Sequence, residues 1–207
     1  DDNSCKLDFE VLTTNGNSYI EPNKILFSQK INQLEKNLNN ERNTTTINYS
    51  YNDKSSKQIS LMKDSQKSIE KPTWIAHRQQ FFSTIISSEE FFRESSVSTF
   101  TPESDKYVKE LISETTIEYD NSNNFYSFEF YFLPHKYSLL QSFGKGFETL
   151  VPLGWGIFGW VNKFLIIPIF NTLENLDLNY GLIILIIAVL IKLLLFWPTK
   201  SSYLSMA

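Results

Sequence analysis

Residues 124–133 read NFYSFEFYFL. Tyr126, Phe128, Phe130 and Phe132 recur at every second position and share one face of an extended strand. Phe125, Tyr131 and Leu133 make the opposite face apolar too. Aromatic side chains at this density suit a pleated surface, and apolar residues on both faces predict a strand covered from both sides. The same two-residue period appears in LDFEV (Leu7, Phe9, Val11), TINYSY (Ile47, Tyr49, Tyr51) and QISLM (Ile59, Leu61). Residues 73–86 (TWIAHRQQFFSTII) and 112–119 (ISETTIEY) are β-branched and aromatic enough to add further strands. Over residues 28–46, Ile31, Leu34 and Leu38 have helical spacing within a polar stretch, which fits either a helix or a loop. Residues 1–143 therefore read as an all-β, sandwich-like domain.

The chemistry of this part is sparse. His77 and His135 have no Cys or paired carboxylate at ligand spacing, which favours structural histidines over a metal site. Glu89 and Glu90 precede an aromatic pair and read as a solvated turn rather than a catalytic dyad. Asn43 (NTT) and Asn48 (NYS) match the glycosylation acceptor pattern, which recurs by chance in an Asn-rich chain. No nucleophile elbow, phosphate loop or dinucleotide fingerprint is present, so no catalytic residue, cofactor or metal is expected. Cys5 is the single cysteine, so an intrachain disulfide is excluded. A net charge of −4 without a basic patch argues against nucleic acid as a partner.

The last third changes character. Six of the seven glycines lie there, from Gly144 to Gly181, where backbones approach closely. Residues 154–170 carry Trp155, Phe158, Trp160 and Phe164, with Asn162 and Lys163 pointing elsewhere on a helix and Pro168 interrupting it. That pattern predicts an amphipathic helix lying in a membrane interface, within a connector over 144–179. A membrane-buried hairpin partner for the next helix is the competing reading.

Residues 181–197, GLIILIIAVLIKLLLFW, hold one charge, Lys192, in an apolar run about 25 Å long as a helix. With Tyr180 and Pro198 the run approaches the ~30 Å hydrocarbon core, and its Leu, Ile, Val and Phe residues outweigh the roughly +2.5 to +3.5 kcal/mol cost of the lysine. We expect a transmembrane helix over 180–198, then the start of a cytoplasmic region over 199–207. Lys192 stands only five residues before Trp197, so it either snorkels to the headgroups or serves as a buried functional cation. Residue 1 is Asp and the chain stops shortly after the apolar run, so the expectation is a piece of a longer membrane protein.

Three segments carry a resemblance: LVPLGWGIFGWVNKFLIIPIFN at 150–171, NYGLIILIIAVLIKLLLF at 179–196 and TKSSYLSMA at 199–207. Together they resemble the junction in Gram-negative members of the YidC membrane-protein insertase family, and QQFF and FYFLPHKYSLL are similar to the end of its periplasmic domain. The resemblance implies a periplasmic β-sandwich, an interfacial helix and the first of five core transmembrane helices in the inner (cytoplasmic) membrane. It implies that Lys192 is the positive charge of a hydrated substrate groove, where the family often has arginine. Trp155, Phe158, Trp160, Phe164 and Trp197 would then be the membrane-interface residues. Implied partners are nascent membrane-protein chains and the lipid bilayer, with the ribosome and the secretion channel. The competing function is a single-span, membrane-anchored periplasmic binding module. A third class, an enzyme, follows from the likeness of the family's periplasmic fold to sugar-mutarotase domains, but no acid–base pair stands at matching positions.

Overall fold

A computed structural model describes residues 5–12, 24–52, 55–89, 91–117 and 125–206. The chain forms two units, Asp1–Val151 and Pro152–Ala207.

In the first unit the strands are β1 (Cys5–Leu12), β2 (Lys24–Asn32), β3 (Thr46–Ser50), β4 (Ser56–Gln58), β5 (Ser65–Glu70), β6 (Trp74–Arg78), β7 (Phe82–Ser87), β8 (Glu94–Phe100), β9 (Tyr107–Thr116) and β10 (Phe125–Pro134). They make two antiparallel sheets, one ordered β1-β10-β7-β6-β3-β4 and the other β2-β9-β8-β5. The β-rich, sandwich-like architecture expected from the alternation is present.

β10 explains why both of its faces are apolar. Phe128 joins a core drawn from both sheets, with Ile47, Tyr49, Ile75, Ile86, Val97 and Leu111 among its members. Tyr131 and Leu133 face the other way, into a second core with Trp74, Ala76, Ile85, Leu140, Phe147 and Leu150. Leu140 comes from α2 (Tyr137–Ser142), while Phe147 and Leu150 come from a 3₁₀ turn (Phe147–Leu150). The six-stranded sheet is thus apolar on both faces because helical turns cover its outer side.

Residues 28–46, where helix and loop both fitted, divide between the two kinds of element. β2 takes Ile31, and a helix, α1 (Leu38–Thr44), begins after Asn37, whose side chain accepts the Asn40 N–H at 3.1 Å. The stretch 73–86 is a hairpin of β6 and β7, paired from Trp74↔Ser87 to Arg78↔Ser83. QISLM is not a strand: β4 ends at Gln58, and Ile59 reaches the core from the loop, donating its N–H to Ile47 O at 3.1 Å. The predicted strand at 112–119 is part of β9, and positions 118–119 lie outside the described residues.

In the second unit, α3 (Ile157–Val161), a π turn (Asn162–Ile166) and α4 (Ile167–Glu174) run on without a break, followed by α5 (Tyr180–Met206). Pro168 does not interrupt the helix as the sequence suggested. Proline has no N–H and its ring clashes with the carbonyl four residues back. Here the preceding N–H, that of Ile167, bonds to Asn162 O, five residues back, and the ladder is widened ahead of the proline. Among the described residues no helix is long and apolar enough to cross a membrane. Within the 27-residue α5, the apolar run ends at Trp197, giving roughly 25 Å against a ~30 Å hydrocarbon core.

Candidate functional site

The aromatic residues singled out in the sequence lie on the surface of the second unit. Trp155 is 85% exposed, Phe158 66%, Trp160 61% and Phe164 59%. The Trp160 and Phe164 rings stand 5.5 Å apart between centroids, one helical turn from each other, and Lys163 Nζ lies 5.8 Å from the Phe164 ring centre. Trp160 and Phe164 thus share one exposed apolar face, a feature that marks a contact with another protein or with lipid, while Phe158 stands about 160° round the helix from Trp160 and Trp155 precedes the helix. The segment is held from behind. Asn162 Nδ2 donates to Leu153 O at 2.8 Å, and Gly159 lets the helix approach so closely that a Cβ there would stand 2.7 Å from Gly154 O.

α5 begins at a cap. Asn179 Oδ1 accepts the Gly181 N–H at 2.8 Å, and Asn179 O accepts the Ile183 N–H at 3.0 Å. α4 folds back on this first turn. Phe170 and Tyr180 stack with their planes 6° apart, and Tyr180 OH donates to Glu174 Oε1 at 3.1 Å. Among the described residues of α5, Ile183 and Ile187, one turn apart, are buried, while Leu182, Ile184, Leu185, Val189, Leu193 and Phe196 are exposed.

Lys192 is exposed as well. At 100° per residue it stands about 180° around the helix from Ile183 and about 140° from Ile187. The cation therefore lies on the face of α5 turned away from the packed isoleucines. Trp197 continues α5, and its side chain lies outside the described residues.

Both histidines of the sandwich are held by hydrogen bonds at each ring nitrogen. Gln29 Nε2 donates to Thr84 Oγ1 at 3.0 Å, which turns Gln29 Oε1 toward His77 Nδ1 at 3.2 Å. Nδ1 therefore carries the proton, and Nε2 accepts from Ser113 Oγ at 2.7 Å. The His77 ring is fully buried and stacks on Phe27 with centroids 4.2 Å apart. Burial lowers its pKa to about 3. His135 donates from Nδ1 to Gln80 O (3.1 Å) and accepts the Ser83 hydroxyl at Nε2 (2.8 Å). Burial pushes His135 down to about 4, against the raising effect of the Gln80 carbonyl. Asn48 is buried in β3, out of reach of a glycosyl donor, whereas Asn43 is exposed on α1. Glu89 is exposed, and Glu90 lies outside the described residues.

One cluster left no trace in the sequence. Glu129 in β10 accepts from Tyr131 OH at 2.9 Å, pairs with Lys6 of β1 at 2.7 Å and hydrogen-bonds Lys145. Burial alone would push the Glu129 carboxyl up, but hydrogen bonds from Lys145, Lys6 and Tyr131 outweigh it and hold the pKa at about 2. The same environment raises the Lys6 ammonium, chiefly through its bond to Glu129, and burial raises the Tyr131 hydroxyl. These partners come from three separate segments, so no local pattern announces them.

The YidC periplasmic domain family matches residues 13–168 of the chain. Among curated relatives, the membrane protein insertase YidC of Parabacteroides distasonis is 35% identical over 214 residues, covering 96% of this chain and 34% of that protein. The membrane protein insertase YidC of Amoebophilus asiaticus is 38% identical over 198 residues, covering 92% of this chain and 33% of its own length. That of Bacteroides fragilis is 31% identical over 192 residues, covering 88% and 31%. The chain spans about a third of the length of the curated relatives it matches.

Proposed function

The chain belongs to the YidC periplasmic domain family, and from that membership we propose that it is the periplasm-to-membrane junction of a membrane protein insertase in the inner membrane. In this reading the sandwich over 1–143 is periplasmic and the connector over 144–179 lies in the outer headgroup layer. Trp155, Phe158, Trp160 and Phe164, with Trp197 at the far end, sit at headgroup depth, where tryptophan is favoured. α5 crosses the bilayer over 180–198, its ~25 Å apolar run extended by flanking Tyr180 and Pro198 or matched by local thinning. Residues from 199 onward start the cytoplasmic side.

The mechanism is physical. Helices supplied by the rest of the parent protein enclose a hydrated groove beside α5. Lys192 attracts acidic residues in the polar segment of a nascent membrane protein while the apolar remainder moves into lipid. A charge pair at ~4 Å and an effective dielectric of about 20 is worth roughly 4 kcal/mol. That is comparable to the roughly +2.5 to +3.5 kcal/mol penalty for one aspartate at the membrane centre. The lysine supplies a point charge, without the fork geometry of arginine. The ribosome and the secretion channel are the partners that would deliver such chains.

The observation that carries this reading is the placement of Lys192 as an exposed cation on an apolar helix, opposite Ile183 and Ile187. A cation there is open to helices or substrates outside this chain. The test is rescue of insertase-depleted cells by the full-length parent, with single cysteines at Glu103 and Ser202 in a Cys5→Ser background. Rescue, with labelling from the periplasm at Glu103→Cys alone, is the expected result. No rescue, or labelling of Ser202→Cys from the periplasm, would overturn it.

A further inference from the structure

The chain approaches α3 through residues 153–156, and this approach is built rather than loose. Gly154 has φ +90° and Gly156 φ +59° with ψ −131°, conformations that L side chains rarely adopt. These turns fold the loop back over the helix it leads into. Leu153 O meets Asn162 Nδ2 at 2.8 Å, and Gly154 O sits where any Cβ on Gly159 would collide at 2.7 Å. Gly156 O accepts the Trp160 N–H at 3.2 Å, which starts the helical ladder directly from the fold-back. Two separate points of contact, one a hydrogen bond and one a glycine-only approach, thus fasten the loop to a single side of the helix.

That side is opposite Ile157, Trp160 and Phe164, whereas the exposed Phe158 stands about 40° round the helix from Asn162. At 100° per residue, Gly159 and Asn162 lie within about 60° of each other, and Ile157, Trp160 and Phe164 lie within about 60° on the far side. The Asn162 amide would otherwise need water or headgroups, and the clasp satisfies one of its donors internally. The apolar face remains 59–71% exposed at Ile157, Trp160 and Phe164.

We infer that Asn162 and Gly159 form a clasp that sets the roll of this helix about its own axis on the membrane, Asn162 being the positioning residue. The inference rests on the interfacial reading proposed above. A helix that lies flat on a bilayer has one free rotation, and small apolar differences around it leave that rotation weakly determined. Fastening the incoming chain to Gly159 and Asn162 limits that freedom, because the loop then stands between these two positions and lipid. Trp160 and Phe164 are left as the face that enters the headgroup layer. The clasp works through these aromatic residues and touches no substrate.

The experiment uses the full-length parent in vesicles of phosphatidylethanolamine and phosphatidylglycerol. Nitroxide labels are placed singly at 157, 158, 160, 161, 163, 164 and 165, and depth is read from collisions with oxygen against a water-soluble nickel chelate. The unmodified clasp should give a helical period with the deepest labels at 157, 160 and 164. Asn162→Asp keeps the size but offers only acceptors to the Leu153 carbonyl, and Gly159→Ala places a Cβ against Gly154 O. Both should lose the period or rotate its phase. A period unchanged in both variants overturns the clasp while leaving the interfacial reading intact. A shift in the alanine variant alone overturns the role of Asn162. A flat profile without any substitution refutes the interfacial reading, and the clasp falls with it.

Discussion

The ammonium of Lys6 lies 2.7 Å from the Glu129 carboxylate, joining β1 to β10, its one strand neighbour among the described residues, across a diagonal of the register. Lys145 approaches Glu129 from the other oxygen, and its own backbone carbonyl accepts the Trp74 Nε1–H at 2.9 Å. One carboxylate therefore ties together the N-terminal strand, the sheet and the loop that leaves the sandwich.

Acid should loosen this tie. The folded-state pKa of Glu129, about 2, is below its unfolded value near 4.3. The stabilisation is then fully present above the unfolded value and is lost as pH falls from about 4.3 toward 2. Thermal unfolding of the chain in detergent should show a steeper fall in Tm over that window than the Glu129→Gln variant does. Parallel curves for the two proteins would assign the acid sensitivity elsewhere.

The histidines act in a higher window. His77 and His135 are held at about 3 and about 4, below the ordinary value of 6.5. Between those values the unfolded chain binds a proton that the folded chain does not, so stability rises with pH there and is lost as pH falls from 6.5. Each such group contributes a slope of at most about 1.4 kcal/mol per pH unit. His77→Asn should lower stability at pH 7.5, because packing on Phe27 and the bonds to Gln29 and Ser113 are disturbed. It should also flatten the dependence between pH 6.5 and 4 in urea titrations. An unchanged slope would mean that His77 does not titrate with unfolding.

Trp74 is the structural pin of the outer core. It is fully buried, meets Phe147 edge-on at 5.7 Å and donates to Lys145 O. Trp74→Ala should cost about 3–5 kcal/mol by leaving a cavity. Trp74→Phe keeps much of the ring and strands the Lys145 carbonyl, for about 1–3 kcal/mol. Equal losses in the two variants, measured by urea unfolding, would show that the indole N–H and not its volume dominates.

How far the fold was legible follows from these cores. β10 was readable because each face enters a separate core, so its aromatic residues alternate without a polar partner row. β5 and β8 were not. SQKSIE brings only Ile69 to the main core and ESSVSTF only Val97, while Ser95 and Thr99 are buried on either side of Val97 along β8. Small hydroxyl residues packed in a sheet carry no hydrophobic period, and their place is set by pairing such as Ser65↔Thr99. β2 does alternate through Ile25, Phe27 and Ile31, but Ile31, Leu34 and Leu38 also satisfy a helical spacing. Composition could not break that tie. The exposed aromatic patch was visible because its members are close in sequence. The glycine-rich stretch did signal close backbone approach, as Gly159 and Gly154 show, but which groups meet needed the folded loop.

The charge of Lys192 gives the last and most direct test of the proposed function. If Lys192 faces a hydrated groove in the full-length parent, its charge and not its shape is what a substrate meets. Lys192→Arg should then preserve insertion of substrates with acidic translocated segments, since the charge stays. Lys192→Glu should impair it, because the same ~4 Å Coulomb interaction of roughly 4 kcal/mol changes sign. Lys192→Ala should fall between, with the deficit growing as the substrate segment becomes more acidic. A lysine that only snorkels predicts another order: alanine would be neutral or slightly favourable, because it removes an insertion cost of roughly 2.5–3.5 kcal/mol. The measurement is protease protection of a substrate series graded in Asp and Glu content, in insertase-depleted cells carrying each variant at matched abundance. Full insertion of the most acidic substrate by both the alanine and glutamate variants would place Lys192 among the headgroups and remove it from the groove.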